Sequence, residues 1–191
     1  MNTTQKIHAI LFDFIGVLMR VKKVPPDPIA DEINRMIGSV TDDKKFKKEA
    51  RERFILTDRQ FEAYLEKIVN RFEPFEPLWK MVPSLKKNYK LAIINNGTAL
   101  SLPHLFIRFP KLTTQFDEFV SSAKERVKKP DKKIYLITCQ KLNIDPKECL
   151  FMDDDKTNTD AAEELGMQTI WWETHEKGFE KFLGFYEKNK H

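Results

Sequence analysis

Three short apolar segments of this 191-residue sequence end in side chains that can act as nucleophiles, metal ligands or hydrogen-bond donors. These are Asp13 after residues 7–12, Asn95-Asn96-Gly97 after residues 91–94, and Asp153-Asp154-Asp155 after residues 149–152. A fourth segment places Lys129 directly before Pro130-Asp131, at a predicted helix start. Carboxylates can form covalent intermediates and bind hard cations, and a lysine ammonium offsets negative charge. Together the four segments are candidates for one catalytic site.

Each segment also has a purely structural explanation. An aspartate after a strand often caps the following turn, Asn-Gly is a common turn dipeptide, and acidic residues suit a helix N-terminus. In an open parallel sheet, however, the ligand site lies beyond the carboxyl ends of the strands. Three such polar strand ends, together with Lys129 at a helix start, therefore favour a functional site.

The pattern of apolar residues predicts the elements that position these side chains. Short apolar runs bounded by turns predict buried strands, and spacings of three and four residues predict helices. The predicted strands are residues 7–12, 91–94, 149–152 and 168–172, and the predicted helices are about 131–142, 157–165 and 176–188. Strands that alternate with helices indicate an α/β fold. We expect a Rossmann-like parallel sheet with helices on both faces.

A helical insertion is predicted between the first strand and the others. Asp27-Pro28 is typical of a helix start, and Thr57 with Gln60 matches a capping box. Residues 28–87 are expected to be all-helical with Glu-Pro breaks at 73–74 and 76–77, and Phe61, Leu65, Ile68 and Phe72 are expected on one helix face. The predicted division is an α/β core of residues 1–19 and 88–191, and a small helical cap of residues 20–87.

The composition is that of a globular protein, with 41% hydrophobic and 32% charged residues. A net charge of +4 is too small to argue for nucleic acid, and no apolar run approaches membrane-spanning length. Cys139 and Cys149 lack metal-ligand spacing, and the N-terminus lacks the apolar core of a signal peptide. We therefore expect a cytoplasmic protein that binds neither nucleic acid nor membrane, as a monomer or homodimer.

The order of the polar strand ends resembles the haloacid dehalogenase superfamily of aspartate-nucleophile hydrolases. The first family motif is similar to Asp13-Phe14-Ile15-Gly16-Val17-Leu18, and the second to Asn95-Asn96-Gly97. The third is similar to Lys129-Pro130-Asp131 with Ile134-Tyr135, and the fourth to Asp153-Asp154 with Asn158, Ala161-Ala162 and Gly166. The resemblance covers nearly the whole chain, and the helical caps of the family are also inserted after the first motif.

The resemblance implies a role for each matching residue. Asp13 would be the nucleophile that forms an aspartyl-phosphate, and Lys129 would act beside it and hold the phosphate charge. The phosphate would also be bound by the amide of Asn95, helped by the backbone N–H groups of Asn96 and Gly97. Mg²⁺ is the implied cofactor, and its ligands would be Asp13, Asp153, Asp154 and the backbone carbonyl of Ile15. The implied substrate is a small phosphorylated molecule.

Ile15 departs from the family pattern. Phosphatases of the family carry a carboxyl there, which protonates the leaving oxygen and later activates water. A positioned acid or base is typically worth about 10²–10⁴-fold in rate. Its loss is felt least with good leaving groups such as anomeric, aryl or acyl phosphates. The usual hydroxyl is also absent at Asn95, although an amide can donate the same hydrogen bond.

Two other functions remain open from the sequence. A 2-haloacid dehalogenase also lacks the second aspartate of the first motif, but dehalogenases of the family need no metal and replace the acidic pair by neutral residues. The presence of Asp153 and Asp154 argues against that chemistry. A catalytically impaired relative that binds phosphate or a partner is the third hypothesis, since Ile15 and Asn95 are the changes with which such a loss would begin.

Overall fold

The apolar runs of the sequence form the centre of a five-stranded parallel sheet in a computed structural model that describes residues 6–189. The seven strands of this described range are β1 (Ala9–Phe12), β2 (Met19–Val21), β3 (Phe72–Pro74), β4 (Lys90–Asn95), β5 (Glu118–Ser121), β6 (Cys149–Asp153) and β7 (Gln168–Trp171). The order across the large sheet is β5-β4-β1-β6-β7, and each neighbouring pair is parallel. β1 is thus the central strand, and β4 and β6 flank it.

Ten helices accompany the strands in residues 6–189. They are α1 (Pro28–Ile37), α2 (Asp43–Phe54), α3 (Asp58–Val69), α4 (Glu76–Leu85), α5 (Leu102–Arg108), α6 (Lys111–Thr114), α7 (Ser122–Glu125), α8 (Lys132–Leu142), α9 (Lys156–Glu163) and α10 (His175–Asn189). None of them is both long and apolar enough to cross a lipid bilayer.

Alternate residues of the central strands pack on opposite faces of the sheet, as the period of two in a strand requires. Ala9 and Leu11 of β1 lie in one apolar cluster with Tyr135 of α8 and Ala162 of α9. Ile10 and Phe12 face a second, larger cluster that includes Trp79 of α4 and Phe182 of α10. Both faces are therefore covered, which confirms the predicted α/β fold with helices on each side of the sheet.

The predicted helix starts are present in the insertion. The Asp27 carboxylate accepts hydrogen bonds from the N–H groups of Ile29 (3.1 Å) and Ala30 (3.0 Å) at the start of α1. At the start of α3, Thr57 and Gln60 form both hydrogen bonds of a capping box. These contacts are local in sequence, which is why the residue types alone predicted them.

The prediction that residues 28–87 are all-helical is wrong over Phe72–Pro74. α3 ends at Val69, and β3 pairs antiparallel with β2, with Val21 opposite Phe72. Phe72 therefore does not continue the apolar face of α3. These two strands connect the beginning and the end of the insertion to the rest of the chain. Their pairing joins residues that are far apart in the sequence, so no local pattern predicts it.

α4 contacts parts of the chain that lie outside the insertion. Trp79 contacts Phe116 at 6.3 Å between ring centroids, and Ser84 lies 3.4 Å from the Tyr186 hydroxyl of α10. The predicted division at residues 19/20 and 87/88 stays a prediction, and residues 1–5 and 190–191 of it lie outside the described residues.

Candidate active site

The carboxyl ends of β4, β1 and β6 lie side by side, and this edge carries the polar residues singled out in the sequence. Asp13 follows β1 directly, and its N–H donates to the Met152 carbonyl of β6 over 2.8 Å. Asn95 is the last residue of β4, and Asp153 is the last residue of β6. The sheet order therefore brings together three strand ends that are far apart in sequence.

Lys129 connects the two carboxylates at the base of this site. Its Nζ donates to Asp13 Oδ1 and to Asp153 Oδ2, each over 2.6 Å, and the Lys129 residue is only 3% exposed. The Asn96 side chain holds the backbone of Lys129 from both sides: its Oδ1 accepts from the Lys129 N–H (2.9 Å), and its Nδ2 donates to the Lys129 carbonyl (3.0 Å). Asn96 thereby positions Lys129.

Asp153 accepts two further hydrogen bonds, one from the loop before α9 and one from α9 itself. Its Oδ1 accepts hydrogen bonds from the Asp155 N–H (2.9 Å) and from Asn158 Nδ2 (3.0 Å). Asn158 lies in the first turn of α9 and is 6% exposed. The Asp155 carboxylate accepts from the Thr157 N–H and caps α9. Asn158 belonged to the motif resemblance, but its role in fixing Asp153 was not predicted.

Gly16 allows the first and fourth motifs to approach each other. Its φ of +105° is a conformation that residues with a side chain rarely adopt. A Cβ atom at this position would lie 2.4 Å from Asp154 Oδ2. The turn is closed by hydrogen bonds from Gly16 N–H to the Met19 carbonyl and from Met19 N–H to the Phe14 carbonyl, both 2.9 Å.

The electrostatics of the site are dominated by carboxylates in a buried setting. Burial raises the pKa of Asp13 to about 7, with a further upward contribution from Asp153 and an opposing one from Lys129. Burial alone lowers the pKa of Lys129, but the facing carboxylates of Asp13 and Asp153 raise it above its ordinary value. The pKa of Asp154 is also raised, first by burial and then by Asp153. The cluster thus has more negative than positive groups.

The chemistry of the donor set fits a hard divalent cation. Carboxylate oxygens of Asp13, Asp153 and Asp154 lie within 4.8 Å of one another. Lys129 is the only cationic side chain among the described residues that line the cavity at this point. Burial of a carboxylate costs free energy unless a cation compensates its charge, so a second positive charge beside Lys129 would stabilise the cluster. Mg²⁺ prefers an oxygen set of this kind.

The Gly97 backbone N–H is used differently from the expectation. The Gly97 N–H donates to Ser122 Oγ over 2.9 Å, so it is not free to bind phosphate as predicted. The reason is the buried Ser122 side chain, which reaches this turn from the end of β5 and also donates to the Val40 carbonyl over 2.6 Å. A Cβ at Gly97 would lie 2.6 Å from Asn95 Nδ2, so the glycine leaves room for that amide.

Asn95 remains available to a ligand. It lines the cavity, and its side-chain amide makes no hydrogen bond with another residue of the range 6–189. Ser122, which holds the adjacent turn, was missed by the sequence analysis. β5, the strand that carries it to this place, was missed too, because its four residues, Glu118–Ser121, show no distinctive apolar pattern.

A cavity of about 250 Å³ opens above these residues. Its floor contains Asp13, Asn95, Lys129, Asp153 and Asp154, and Ile15 lines it beside Asp13. The wall opposite the sheet comes from α1, the C-terminal end of α3 and the β2–β3 pair. Among the described lining residues, Asp13, Lys129, Asp153 and Asp154 are the titratable groups, so none of these lining residues replaces the carboxyl absent at position 15.

The chain belongs to the haloacid dehalogenase-like hydrolases, because it matches the model of that family over residues 11–172. This assignment confirms the predicted family and makes the protein a hydrolase by family.

Individual relatives include both dehalogenases and phosphatases. The chain is 36% identical over 102 residues to acyl-CoA dehydrogenase family member 10 of Mus musculus, which covers 52% of this chain and 9% of the relative. It is 31% identical over 124 residues to an (S)-2-haloacid dehalogenase of Pseudomonas sp. (strain YL), with 64% and 49% covered. A phosphorylated carbohydrates phosphatase of Thermotoga maritima is 24% identical over 195 aligned positions, with 88% and 86% covered. The chain thus spans about half or less of the first two relatives.

A solved structure shows the same fold. A HAD family enzyme from Bacteroides thetaiotaomicron, in complex with magnesium and inorganic phosphate, has a TM-score of 0.68 and 20% identity to this chain. The match covers 85% of this chain and 92% of that one. The comparisons therefore establish the family and the fold, but they do not distinguish a phosphatase from a dehalogenase.

Proposed function

We propose that the protein is a Mg²⁺-dependent phosphohydrolase that acts on a small phosphorylated molecule through an aspartyl-phosphate on Asp13. The observation that carries the proposal is the Lys129 ammonium, held 2.6 Å from both Asp13 and Asp153 inside a cluster of three carboxylates. Such a cluster repels a phosphate dianion unless cations lie between them. Asp13, Asp153 and Asp154, with the Ile15 carbonyl, would hold Mg²⁺, which when bound supplies positive charge between carboxylate and phosphate.

The residues of the chain then have distinct tasks. A carboxylate oxygen of Asp13 bonds to phosphorus while the bond from phosphorus to the leaving oxygen breaks, and the organic group departs with the bonding electron pair. Lys129 and the free amide of Asn95 offset charge on the phosphate oxygens. Water then attacks the aspartyl-phosphate, which releases inorganic phosphate and restores the Asp13 carboxylate.

Two similarities support the proposal. The structurally similar enzyme from Bacteroides thetaiotaomicron binds magnesium and inorganic phosphate, and the Thermotoga maritima relative is a phosphatase. The carboxylates at Asp153 and Asp154 are what a metal-dependent reaction requires.

Ile15 limits which phosphates are good substrates. Its side chain cannot protonate the leaving oxygen, and the described lining holds no acid besides Asp13 and the two carboxylates proposed as metal ligands, Asp153 and Asp154. We infer that the enzyme favours leaving groups that are stable as anions.

Dehalogenation is the second candidate, because a halide ion also leaves without a proton and one relative is an (S)-2-haloacid dehalogenase. The charges of the site disfavour it. A 2-haloacid is an anion, and without a metal ion it would meet the three carboxylates of the cluster with Lys129 as the one cation in the described lining. The carboxylate of a haloacid would also face Asp154.

The test is hydrolysis of para-nitrophenyl phosphate with Mg²⁺ and with EDTA, using wild type, Asp13→Asn and the control Asp155→Asn. Asparagine at 155 can still cap α9, so that variant should keep nearly wild-type turnover. The proposal requires turnover that depends on Mg²⁺ and is abolished in Asp13→Asn. Halide release from a 2-haloacid without metal would overturn the proposal and support dehalogenation instead. Absence of both activities would favour a catalytically impaired, phosphate-binding relative.

A further inference from the structure

The wall of the cavity that faces away from the carboxylates is apolar. Its side chains come from the β2–β3 pair, the helices α1 and α3, and α5, and they are Val21, Ile37, Ile68, Val69, Phe72 and Leu105. Ile68 and Val69 are each 1% exposed and Leu105 is 2% exposed, so this surface is part of the packed structure. Val21, at 52% exposure, lies at the mouth. Any group attached to a phosphate at the floor has to contact this wall.

The part of the insertion that faces the cavity contributes no charge to it. The titratable side chains of the described lining are all at the floor, in the first, third and fourth motifs. Arg71 is adjacent to Phe72, but it is 8% exposed and forms an ion pair with Asp31. Lys67, which is adjacent to Ile68, pairs with Asp27. The cations adjacent to Ile68 and Phe72 are therefore engaged elsewhere. Of the two cations that flank Val21, Lys22 donates to the Asn70 carbonyl over 3.3 Å, and Arg20 lies 5.3 Å from the centroid of the Phe75 ring.

Few hydrogen-bonding groups remain for the organic part of a substrate. Outside the floor, the polar side chains of the described lining are Asn34, Asn96, Ser101 and Asn158. The amides of Asn96 and Asn158 are engaged by Lys129 and Asp153. The Ser101 hydroxyl donates to the Thr98 carbonyl over 3.1 Å, so its hydrogen is used. Asn34 is exposed at the mouth. A polyhydroxylated group placed here would leave most of its hydroxyls without partners, which is costly in a buried site.

The size of the cavity is also restrictive. Its volume of about 250 Å³ has to hold the phosphoryl group as well as the organic part. Pockets for drug-sized ligands usually measure about 300–1,000 Å³. A nucleotide or a long chain is therefore too large to be enclosed.

We propose that the substrate is a phosphate of a small, uncharged and mainly apolar group, and that it is a short-chain acyl phosphate or a simple aryl phosphate rather than a sugar phosphate. This rests on the proposed phosphohydrolase function. The carboxylate or phenolate leaves with the electron pair of the broken bond to phosphorus, and Asp13 gains the phosphoryl group. No proton is needed at that step, which agrees with Ile15 at the leaving-group side.

The test compares butyryl phosphate with succinyl phosphate in Mg²⁺, by release of inorganic phosphate. Both have four carbons and both release a carboxylate, but succinyl phosphate carries a second carboxylate at the far end. An apolar pocket discriminates about 10²-fold against an isostere with an added hydroxyl, and an added charge is costlier. We expect kcat/KM to be at least about 10²-fold higher for butyryl phosphate.

A matched pair of variants tests whether the apolar wall of the cavity causes the preference for butyryl phosphate. Ile37→Lys introduces a cation beside the turn at Gly97, since Ile37 Cγ2 lies 3.5 Å from a Cβ built there. It should raise the succinyl-to-butyryl ratio of kcat/KM by about tenfold or more, the effect of roughly 1.4 kcal/mol. Ile107→Lys is the control, because Ile107 is 83% exposed on α5 and does not line the cavity, and its ratio should equal that of wild type.

The outcomes separate this inference from the proposed function. Turnover of both acyl phosphates without preference, or a ratio that Ile37→Lys does not change, would overturn the apolar specificity and leave the phosphohydrolase intact. No phosphate release from butyryl phosphate, succinyl phosphate or para-nitrophenyl phosphate would instead overturn the phosphohydrolase itself.

Discussion

Lys129 Nζ donates to Asp13 Oδ1 over 2.6 Å, although 116 positions separate the two residues in the sequence. Both side chains are buried, at 2% and 11% exposure. The contact joins the end of the central strand to the loop before α8, and Asp153 completes it from the neighbouring strand. A buried charge pair of this kind is destabilising when either partner is removed alone. It is therefore both the electrostatic centre of the site and a structural contact between distant segments.

Removal of the ammonium should destabilise the protein. Lys129→Met leaves the buried Asp13 and Asp153 carboxylates without their cation, and we expect a loss of about 3–5 kcal/mol in the free energy of unfolding at pH 8. The measurement is urea unfolding of the metal-free protein. The control is Lys132→Met, which breaks an exposed pair with Glu164 and should cost about 0–1 kcal/mol. Equal effects of the two variants would contradict the role given to Lys129.

The stability of the metal-free protein should depend on the protonation of Asp13. Its folded-state pKa of about 7 is above the value of 3.8 taken for the unfolded chain, so the folded state binds the proton more tightly. Stability contributed by this group is therefore present below about pH 4 and is lost as the pH rises toward 7. Urea unfolding between pH 4 and 8 measures this, and Asp13→Asn, which has no titrating group there, should lack this part of the pH dependence.

Mg²⁺ should stabilise the protein, and more strongly at high pH. Mg²⁺ and the proton compete for the Asp13 carboxylate, whose pKa is about 7. The rise in Tm with Mg²⁺ should therefore be larger at about pH 8, above this pKa, than at about pH 5.5, below it. EDTA should reverse the rise, and Asp154→Asn should reduce it. A rise that is independent of pH and unaffected in Asp154→Asn would show that the ion binds elsewhere.

Ile15→Asp should restore a proton donor at the leaving-group side. We expect kcat/KM for an alkyl phosphate to increase by up to about 10²–10⁴-fold, and that for para-nitrophenyl phosphate to change much less. The reason is that an alkoxide is a poor leaving group without a proton, whereas nitrophenolate is stable. Ile15→Asn is the control of similar size without an ionisable proton. The same gain with both substrates, or no gain with either, would place Ile15 away from the leaving group.

Gly16→Ala should weaken metal binding and stability together. The added Cβ would lie 2.4 Å from Asp154 Oδ2 at a φ of +105°, so both the turn and the carboxylate have to move. We expect a cost of about 1–3 kcal/mol in stability and an increase of about 10–100-fold in the Mg²⁺ concentration for half-maximal turnover. Gly184→Ala on the exposed side of α10 meets no atom within 4 Å and should stabilise slightly. An unchanged Mg²⁺ requirement in Gly16→Ala would contradict the packing of these two motifs.

Local patterns predicted those elements whose signals lie within a few residues. The strands β1, β4 and β6 were identified because each is a short apolar run that ends in a polar residue. The helix starts at Asp27 and Thr57 were identified because a cap and its N–H partners are two or three positions apart. Asp13, Asp153 and Asp154 followed from the same strand ends and Lys129 from the helix start after it, and the structure brings all four together.

The elements that were missed depend on distant partners. The β2–β3 pair forms only because the insertion returns to its starting point, and β5 is a strand only because β4 offers its edge. The use of the Gly97 N–H was missed for the same reason, since its acceptor Ser122 lies 25 positions away. Asn158 is close to Asp153 in sequence, five positions on, but its hydrogen bond requires the first turn of α9 to face the carboxylate.

The sequence by itself determined the family, the α/β class and the residues proposed for the site, because strand ends, helix caps and motif spacings are local features of the chain. Only the tertiary structure decided which carboxylate oxygens Lys129 engages, which backbone groups remain free and what lines the cavity above Asp13. The physical reason is that these properties arise from the packing of segments distant in sequence, and the free energy of such contacts depends on a geometry that no local pattern contains.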